Sequence, residues 1–283
     1  MKVIHSPDEL QEVAISYKNE GKTIGFVPTM GFLHEGHEKL IEEARKENDI
    51  VLLSIFVNPL QFGPHDDLDH YPRDEQHDRK VASRLGVDLL FHPDVESMYP
   101  HEPAIKLTVI RRTDVLCGRS RPGHFDGVVT VLAKLFHLGL PTRVYFGMKD
   151  AQQVAVVDGL IKDFHFPVEL VPVPTVREPD GLAKSSRNVN LSAAERKEAP
   201  FIHKGLVHGK VLIQDGCRNP EKVNNAVKSF IEKHTHGKID YIEILSYPEL
   251  ESVASIKGRI ILAAAVKFNK ARLIDNLVME AGD

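Results

Sequence analysis

Two histidines three residues apart, with glycines close by, form the most specific chemical pattern in this sequence. His34 and His37 lie in PTMGFLHEGHEKLI (residues 28–41), between an apolar run predicted as a strand and an amphipathic run predicted as a helix. A helix N-terminus favours phosphate, because its backbone N–H groups are exposed and its dipole is positive there. Gly31 and Gly36 would let the backbone approach such a ligand closely. We interpret the histidines as donors to nucleotide phosphates that also stabilise the charge of a departing pyrophosphate.

The alternative for this segment is a pair of surface histidines at a helix start. Short patterns such as HxGH arise by accident in many unrelated proteins. The predicted strand before the pattern and the predicted helix after it favour the phosphate site.

A second cluster of polar residues is IFVNPLQFGPHDDLDHYPR, residues 55–73, which follows another predicted strand. Open α/β sheets bind ligands at this edge, and the neutral amides of Asn58 and Gln61 suit a hydroxyl or amide partner. A stiff loop with a capping Asn is an equally good interpretation of this motif. The acidic residues that follow are predicted to be a solvated loop rather than a metal cage: Asp66, Asp67 and Asp69.

The third and fourth clusters combine cations with hydroxyl and amide groups. In YFGMKDAQQV (145–154), Lys149 can place a charge on phosphate, Asp150 can cap the following helix or bind ribose, and Gln153 lies one helical turn from Lys149. In TVREPDGLAKSSRNVNLS (175–192), two cations and two hydroxyls stand in a row, a compact donor set for a triphosphate. These residues are Lys184, Ser185, Ser186 and Arg187. An interdomain linker with ordinary surface charges is the alternative for the fourth cluster.

The elements that must position these clusters alternate along the chain. Apolar runs predicted as buried strands alternate with amphipathic runs predicted as helices, which indicates βαβ units and a parallel sheet of the nucleotide-binding type. The strands are predicted at 23–28, 50–57, 87–92, 143–146 and 168–173, and the helices at 8–19, 38–47, 74–85, 128–138 and 150–164.

After Arg177 the sequence becomes a loop rich in small and polar residues, and we place a domain boundary near Val176. Two helices are predicted beyond it, followed by two strands and a last short strand. The helices are predicted at 192–212 and 220–234, and the strands at 240–245, 258–266 and 272–278.

Composition narrows the possible classes of protein. The 283 residues carry a formal charge of −4, without a basic run or a recognisable RNA-binding module, so nucleic acid is not expected as a partner. No window reaches the roughly 18 apolar residues of a membrane span, and the N-terminus lacks a targeting pattern, so we expect a soluble cytoplasmic protein with no membrane partner. Cys117 and Cys217 are far apart and are expected to be free thiols.

The chain contains six motifs in the same order as the bacterial pantothenate synthetase family, and it resembles that family over nearly its whole length. One such motif carries little weight, whereas six in order at plausible spacing are specific. The resemblance implies a Rossmann-like nucleotidyltransferase domain with a parallel sheet, residues 1–175, then a small α/β lid domain, residues 176–283. It also implies a homodimer. The motifs are PTMGxLHxGH, FVNPxQF, RPGHFDGV (121–128), FGxKDxQQ, VREPDGLAxSSRN and RLIDN (272–276).

The activity that the resemblance implies is the joining of pantoate to β-alanine with ATP. A carboxylate does not react with an amine at neutral pH, so it needs activation. Attack of the pantoate carboxylate on the α-phosphorus would give pantoyl adenylate and pyrophosphate. Attack of the β-alanine amine would then give pantothenate and AMP, with the protein positioning the reactants and stabilising charge.

By resemblance, the site residues carry over position by position, with His37 where a proton donor is usually assigned. The groups implied to stabilise charge are His34, His37, Lys149, Lys184 and Arg187. Pantoate is assigned to Gln61 and Gln153, and β-alanine also to Gln61. The positions that match the family's ATP site are Met30, Gly31, Phe32, Leu33, His34, Glu35, Gly36, His37, Gly147, Met148, Lys149, Asp150, Val176, Lys184, Ser185, Ser186 and Arg187.

Mg²⁺ is expected with the ATP, but the acidic region of the family is only partly matched. Asp78 is the best candidate ligand, with His77 where an acid would have helped, and the ligand stays unassigned. Three other positions depart from the family pattern without removing a donor: Phe32, Asn190 and Asn269.

Two other classes compete with this interpretation. A nucleotidyltransferase that couples a nucleotide to a phosphorylated substrate shares HxGH, but the neutral amides of NPxQF and of the glutamine pair do not suit a second phosphate. A non-catalytic nucleotide-binding module, or an RNA-binding relative of the synthetases, is disfavoured by the acidic net charge.

Overall fold

The structure is a computed structural model that describes residues 1–63, 68 and 71–282. The predicted solvated loop at Asp66, Asp67 and Asp69 lies outside these residues. The strands of the described part are β1 (Lys2–Ile4), β2 (Ile24–Thr29), β3 (Ile50–Ile55), β4 (Leu89–Phe91), β5 (Arg143–Gly147), β6 (Glu169–Val173), β7 (Lys238–Ser246), β8 (Arg259–Lys267) and β9 (Arg272–Glu280).

The helices alternate with the first six strands and then cluster before β7. They are α1 (Pro7–Asn19), α2 (Glu35–Glu47), α3 (Glu75–Arg84), α4 (Val95–Met98), α5 (Leu116–Ser120), α6 (His124–Gly139), α7 (Ala151–Asp163), α8 (Ala193–Glu198), α9 (Pro200–Gln214) and α10 (Pro220–His234). Short 3₁₀ turns cover Pro59–Gln61, Met148–Asp150 and Ser186–Asn190.

A six-stranded parallel sheet with the order β1-β4-β3-β2-β5-β6 confirms the predicted α/β fold class. Five consecutive residues of β3 are buried, the continuous apolar pattern of a parallel strand covered on both faces. The chain runs outward from β2 through β3 to β4 and then returns to the other side of β2 as β5. The carboxyl ends of β2 and β5 therefore flank a topological switch point, where open α/β sheets bind ligands.

A three-stranded antiparallel sheet, in the order β7-β8-β9, follows the parallel sheet in sequence. The central strand β8 is buried from Ile260 to Val266. Ile202 and Leu206 of α9 share a buried core with Leu262 and Ala264 of this strand.

The contacts divide the chain into two compact units, and each unit is discontinuous in sequence. The first comprises Met1–Arg111, Arg121–Met148 and Val156–Pro174, and the second comprises Arg112–Ser120, Lys149–Ala155 and Thr175–Asp283. The division into residues 1–175 and 176–283 stays a prediction. The observed units differ from this division in one respect: two internal segments, Arg112–Ser120 and Lys149–Ala155, group with the C-terminal part.

Several predicted elements were wrong in number or length. The strand β1 was missed, because three residues are too few to show a period. The single helix predicted at 192–212 is two helices, since Pro200 starts a new one. The last strand has nine residues and is not short. No helix among the described residues is long and apolar enough to cross a membrane. Both cysteines are free thiols, as predicted.

Candidate functional site

The loop that carries the two histidines begins where β2 ends, at the switch point of the sheet. Thr29 donates its hydroxyl to the Ser54 carbonyl at 2.7 Å and accepts the Gly31 N–H at 3.2 Å, which turns the chain out of the strand. Gly31 has a φ of +83°, and a Cβ there would lie 2.9 Å from an oxygen of Asp78. A residue with a side chain would be both strained and too close, so glycine is required at this turn.

The buried carboxylate of Asp78 holds this loop in place. Its two oxygens accept the backbone N–H groups of Phe32 at 2.8 Å and Leu33 at 2.7 Å. Burial raises the pKa of Asp78, although both backbone bonds oppose that rise. Phe32 has a φ of 52°, an uncommon conformation for a bulky residue, and its bond to Asp78 supports it there. Asp78 thus supports the loop, whereas the sequence suggested it as a metal ligand.

The two histidines form a reciprocal cap at the start of α2. The Nδ1 atom of His34 accepts the Gly36 N–H at 3.0 Å, and the Nδ1 atom of His37 accepts the His34 N–H at 3.3 Å. A nitrogen that accepts a backbone N–H carries no proton itself, so a neutral ring must carry its proton on Nε2. The ring centroids lie 4.1 Å apart. In their neutral form, the two adjacent imidazoles therefore carry Nε2–H groups at a helix N-terminus.

The NPxQF segment is a rigid turn whose polar side chains orient each other. Asn58 is 1% exposed and donates to the Gln61 side-chain oxygen at 3.2 Å and to the Gly127 carbonyl at 3.1 Å. It also accepts the Leu60 N–H at 3.3 Å and the Tyr99 hydroxyl at 2.9 Å. The capping Asn is therefore real, and it fixes the amide that was predicted to bind a substrate. The two interpretations of this motif are compatible.

The RPGHFDGV motif clamps the same turn, a role that we did not predict from the sequence. The Gln61 carbonyl accepts from Arg121 Nη2 at 3.4 Å and lies 2.8 Å from His124 Nδ1. A Cβ at Gly127 would lie 2.3 Å from the Leu60 carbonyl oxygen, so helix α6 and the turn touch backbone to backbone. Gly127 lies one residue before the helix predicted at 128–138 and inside the observed α6, so the predicted pattern did not indicate such a contact.

Gln61 also reaches the first loop, since its Nε2 atom lies 3.3 Å from the Met30 sulfur. Sulfur is a weak acceptor. The structure thus brings together the beginning of the histidine loop and the predicted pantoate-binding amide within the first unit.

The FGxKDxQQ segment contains two adjacent glutamines with different environments. Gln152 is 6% exposed, and its oxygen accepts from Cys117 and Gly118 while its nitrogen donates to the carbonyls of Arg112 and Val115. Gln153 is half-buried and makes no side-chain hydrogen bond within the described ranges. The first glutamine is structural, and the second has an amide available for a ligand.

The beginning of the same segment runs from the first unit into the second. Gly147 ends β5, and Met148, Lys149 and Asp150 form a 3₁₀ turn. Lys149 is mostly buried, and its Nζ lies 3.8 Å from Asp150, which is exposed. The helix α7 then begins at Ala151.

The predicted triphosphate loop is the far arm of a small hairpin. Lys184 donates its N–H to the Val176 carbonyl at 2.9 Å, and its Nζ lies 2.9 Å from Glu178. The Ser185 hydroxyl accepts the Arg187 N–H at 3.3 Å and caps the 3₁₀ turn that begins at Ser186. These bonds give the loop a defined backbone conformation.

The predicted site residues fall into both units. The first unit holds Met30, Gly31, Phe32, Leu33, His34, Glu35, Gly36, His37, Gln61, Gly147 and Met148, and the second holds Lys149, Asp150, Gln153, Val176, Lys184, Ser185, Ser186 and Arg187. Among the described residues, no group of three or more His, Cys, Asp or Glu side chains could hold a metal ion.

Comparison with known proteins places this geometry in a family. The profile described as pantoate-beta-alanine ligase matches residues 2–278. The chain is 61% identical over 272 residues to a pantothenate synthetase of Geobacillus sp. strain WCH70, with 96% of each chain covered. It is 60% identical over 277 residues to that of Bacillus licheniformis, with 98% of this chain and 96% of the relative covered.

Solved structures agree with these relatives. A crystal structure of pantothenate synthetase from Thermus thermophilus matches with a TM-score of 0.92 and 43% identity, covering all of both chains. A pantoate-beta-alanine ligase from Francisella tularensis, complexed with beta-gamma ATP and beta-alanine, matches with a TM-score of 0.80 and 36% identity over 98% of this chain and 97% of that one. This chain belongs to the pantoate-beta-alanine ligase family.

Proposed function

We propose that this protein joins pantoate to β-alanine at the expense of ATP, through a pantoyl adenylate, and releases AMP and pyrophosphate. The observation that carries the proposal is the reciprocal cap of His34 and His37. It sets two Nε2–H donors at a helix N-terminus beside the switch point, in a chain of this family. Such donors suit the charge that grows on a leaving pyrophosphate.

The chemistry divides between activation and transfer. The pantoate carboxylate attacks the α-phosphorus of ATP, the bond from that phosphorus to the bridging oxygen breaks, and pyrophosphate leaves. The β-alanine amine then attacks the acyl carbon, loses a proton and displaces AMP. The chain's share is to position the reactants and to stabilise charge, which is the main source of catalysis in phosphoryl-type transfers.

The proposed roles follow from what each side chain offers. His34 and His37 donate to the phosphates, with His37 as the proton donor, and the cations Lys149, Lys184 and Arg187 offset phosphate charge. The backbone of the loop from Met30 to His37 approaches ATP. The other proposed ATP contacts are Gly147, Met148, Asp150, Val176, Ser185 and Ser186.

The glutamines are proposed to hold the acid. Gln61 is oriented by Asn58 within hydrogen-bond distance, and Gln153 keeps its amide available. Both would bind pantoate, and Gln61 would also bind β-alanine. Neutral amides fit hydroxyl and carboxylate groups without adding a charge that would favour a second phosphate.

We propose that Mg²⁺ arrives bound to ATP. Mg²⁺ commonly takes most of its ligands from phosphates and water, so it does not need a protein cage. Both carboxylate oxygens of Asp78 accept backbone N–H groups, so Asp78 is a poor fit as a metal ligand. No residue is assigned to the ion. A cytoplasmic homodimer completes the proposal, on the family resemblance.

Isotope exchange tests the function. Enzyme, ATP, Mg²⁺, pantoate and labelled pyrophosphate should give labelled ATP without β-alanine, and omission of pantoate should abolish the exchange. β-Alanine should then release AMP and pantothenate in equal amounts. Formation of ADP and phosphate would overturn the mechanism, because it would mean an acyl phosphate. A simple nucleotidyltransferase would ignore pantoate, and a binding module would exchange nothing.

A further inference from the structure

Two neighbouring residues of β9 each hold a different segment of the second unit. Asp275 is 5% exposed and accepts two hydrogen bonds from Arg177, one to each oxygen, at 2.6 and 2.9 Å. Asn276 is 8% exposed and donates from Nδ2 to the Lys149 carbonyl at 2.9 Å. Successive side chains of a strand leave it on opposite faces. One short stretch of β9 thus supports two segments from its two faces.

The bond from Asp275 reaches the predicted triphosphate loop through Arg177. Arg177 also donates to the Gly181 carbonyl at 3.0 Å and pairs with Ala183 as an antiparallel bridge. The guanidinium therefore spans the hairpin that leads directly into Lys184. A bidentate pair between a guanidinium and a carboxylate fixes orientation as well as distance.

His203 adds a third group to this buried cluster. Its Nδ1 lies 3.5 Å from an oxygen of Asp275, too long for a normal hydrogen bond. A Cβ added at Gly181 would lie 3.1 Å from the His203 ring. The Asp275 carboxylate thus has both Arg177 and His203 beside it.

We propose that Asp275 and Asn276 are positioning residues for the ATP reaction, which hold the 184–187 loop and the Lys149 backbone in a fixed mutual arrangement. This inference rests on the proposed function, since these segments bind ATP only under that proposal. In this role neither residue contacts a reacting atom. They act by keeping the donors within the narrow geometry that transfer chemistry requires.

The test replaces Asp275 by an isosteric neutral residue, Asp275→Asn. We expect the KM for ATP to rise about tenfold and the kcat of pantoate-dependent exchange to fall about 10²-fold, the loss typical of a misplaced donor. The KM for pantoate should stay within about twofold, because the bidentate pair leads to the phosphate loop alone.

The matched control is Asp240→Asn, which breaks another Asp–Arg pair of the same sheet. Asp240 accepts from Arg272 at 2.8 and 3.0 Å but does not contact the 176–187 hairpin. It should lower the melting temperature while leaving the KM for ATP within about twofold of the unaltered protein. Equal changes in the two variants at equal loss of melting temperature would overturn the inference, as would an unchanged KM in Asp275→Asn.

If Asp275→Asn does not fold, Asn276→Ala decides. It removes the hydrogen bond to the Lys149 carbonyl, and we expect the KM for ATP to rise a few-fold, the effect of losing a neutral hydrogen bond. An unchanged KM would overturn the proposal.

A binding measurement separates this inference from the proposed function. ATP should raise the melting temperature of the unaltered protein and of Asp240→Asn, and it should raise that of Asp275→Asn much less. If the unaltered protein shows no pantoate-dependent exchange, the proposed function fails. The difference in ATP-dependent melting still decides whether the pair positions the nucleotide segments.

Discussion

Asp78 accepts the backbone N–H of Leu33 at 2.7 Å across 45 residues of sequence. Together with its bond to Phe32, this contact ties the start of the histidine loop to helix α3. A buried carboxylate that accepts two backbone donors satisfies groups that would otherwise be costly to bury.

Asp78→Asn should destabilise the protein by about 1–3 kcal/mol, because its amide NH₂ would face one of the two backbone donors and leave it unsatisfied. The histidine loop should also lose the conformation that Asp78 supports, so the KM for ATP should rise. Urea unfolding and steady-state kinetics measure the two effects. Asp74→Asn is the control, since it keeps an acceptor for the His77 N–H at the cap of the same helix. Equal stability of both variants would contradict this role.

The second prediction separates the two roles of His37, as cap and as donor. His37→Gln keeps an acceptor at the third helical position, as in the usual capping box, whereas His37→Ala does not. Both should lower the kcat of adenylation by about 10²–10³-fold, but only His37→Ala should also lose about 1 kcal/mol of stability. Wild-type kcat in His37→Gln would show that the imidazole only caps the helix.

The third prediction concerns Gly127, where α6 meets the NPxQF turn. Gly127→Ala would put a methyl group 2.3 Å from the Leu60 carbonyl oxygen, so the turn must move and Gln61 with it. The KM for pantoate should rise at least about tenfold. Gly139→Ala in the same helix is the control, because its methyl group would meet only the flexible end of Leu52. A KM for pantoate that is the same in both variants would contradict the clamp.

The parallel sheet could be predicted from sequence because its signals are local. Buried runs such as β3 alternate with amphipathic helices, and α10 begins and ends where its pattern does. The histidine motif was also predictable, since a strand before it and a helix after it lie within a few residues.

The supports of the site could not be predicted in the same way, because they join distant parts of the chain. The bond from Asp78 to Leu33 and the pair of Arg177 with Asp275 each depend on where the chain folds back. For the same reason, the grouping of Arg112–Ser120 with the second unit left no local signal.

The fourth prediction compares the two glutamines of FGxKDxQQ. Gln153→Ala should raise the KM for pantoate by the value of a neutral hydrogen bond, about 0.5–1.5 kcal/mol, before it changes the KM for ATP. Gln152→Ala should instead lower stability, because it leaves four backbone partners without their bonds. Steady-state kinetics and thermal unfolding distinguish them. A change in ATP affinity alone in Gln153→Ala would show that this residue does not bind the acid.

The last prediction uses the titration of Asp275. Burial alone would raise the pKa of this carboxyl, but His203 and Arg177 outweigh it and hold the pKa below its ordinary value of 3.8. A lowered pKa in the folded state means that the ionised carboxylate contributes stability above pH 3.8, which is lost as the pH falls through the folded pKa. Removing one partner of a buried ion pair lowers the free energy of unfolding by about 3–5 kcal/mol.

Asp275→Asn should therefore be less stable than the unaltered protein by about that amount at pH 7. The difference in stability should persist down to about pH 4 and then shrink as the pH falls further. At low pH the Asp275 carboxyl becomes protonated and is then neutral, like the amide of the variant. Urea unfolding of both proteins from pH 7 to pH 3 measures it. A difference that is constant down to pH 3, or that grows as the pH falls, would mean that the Arg177 pair does not stabilise the ionised form of Asp275.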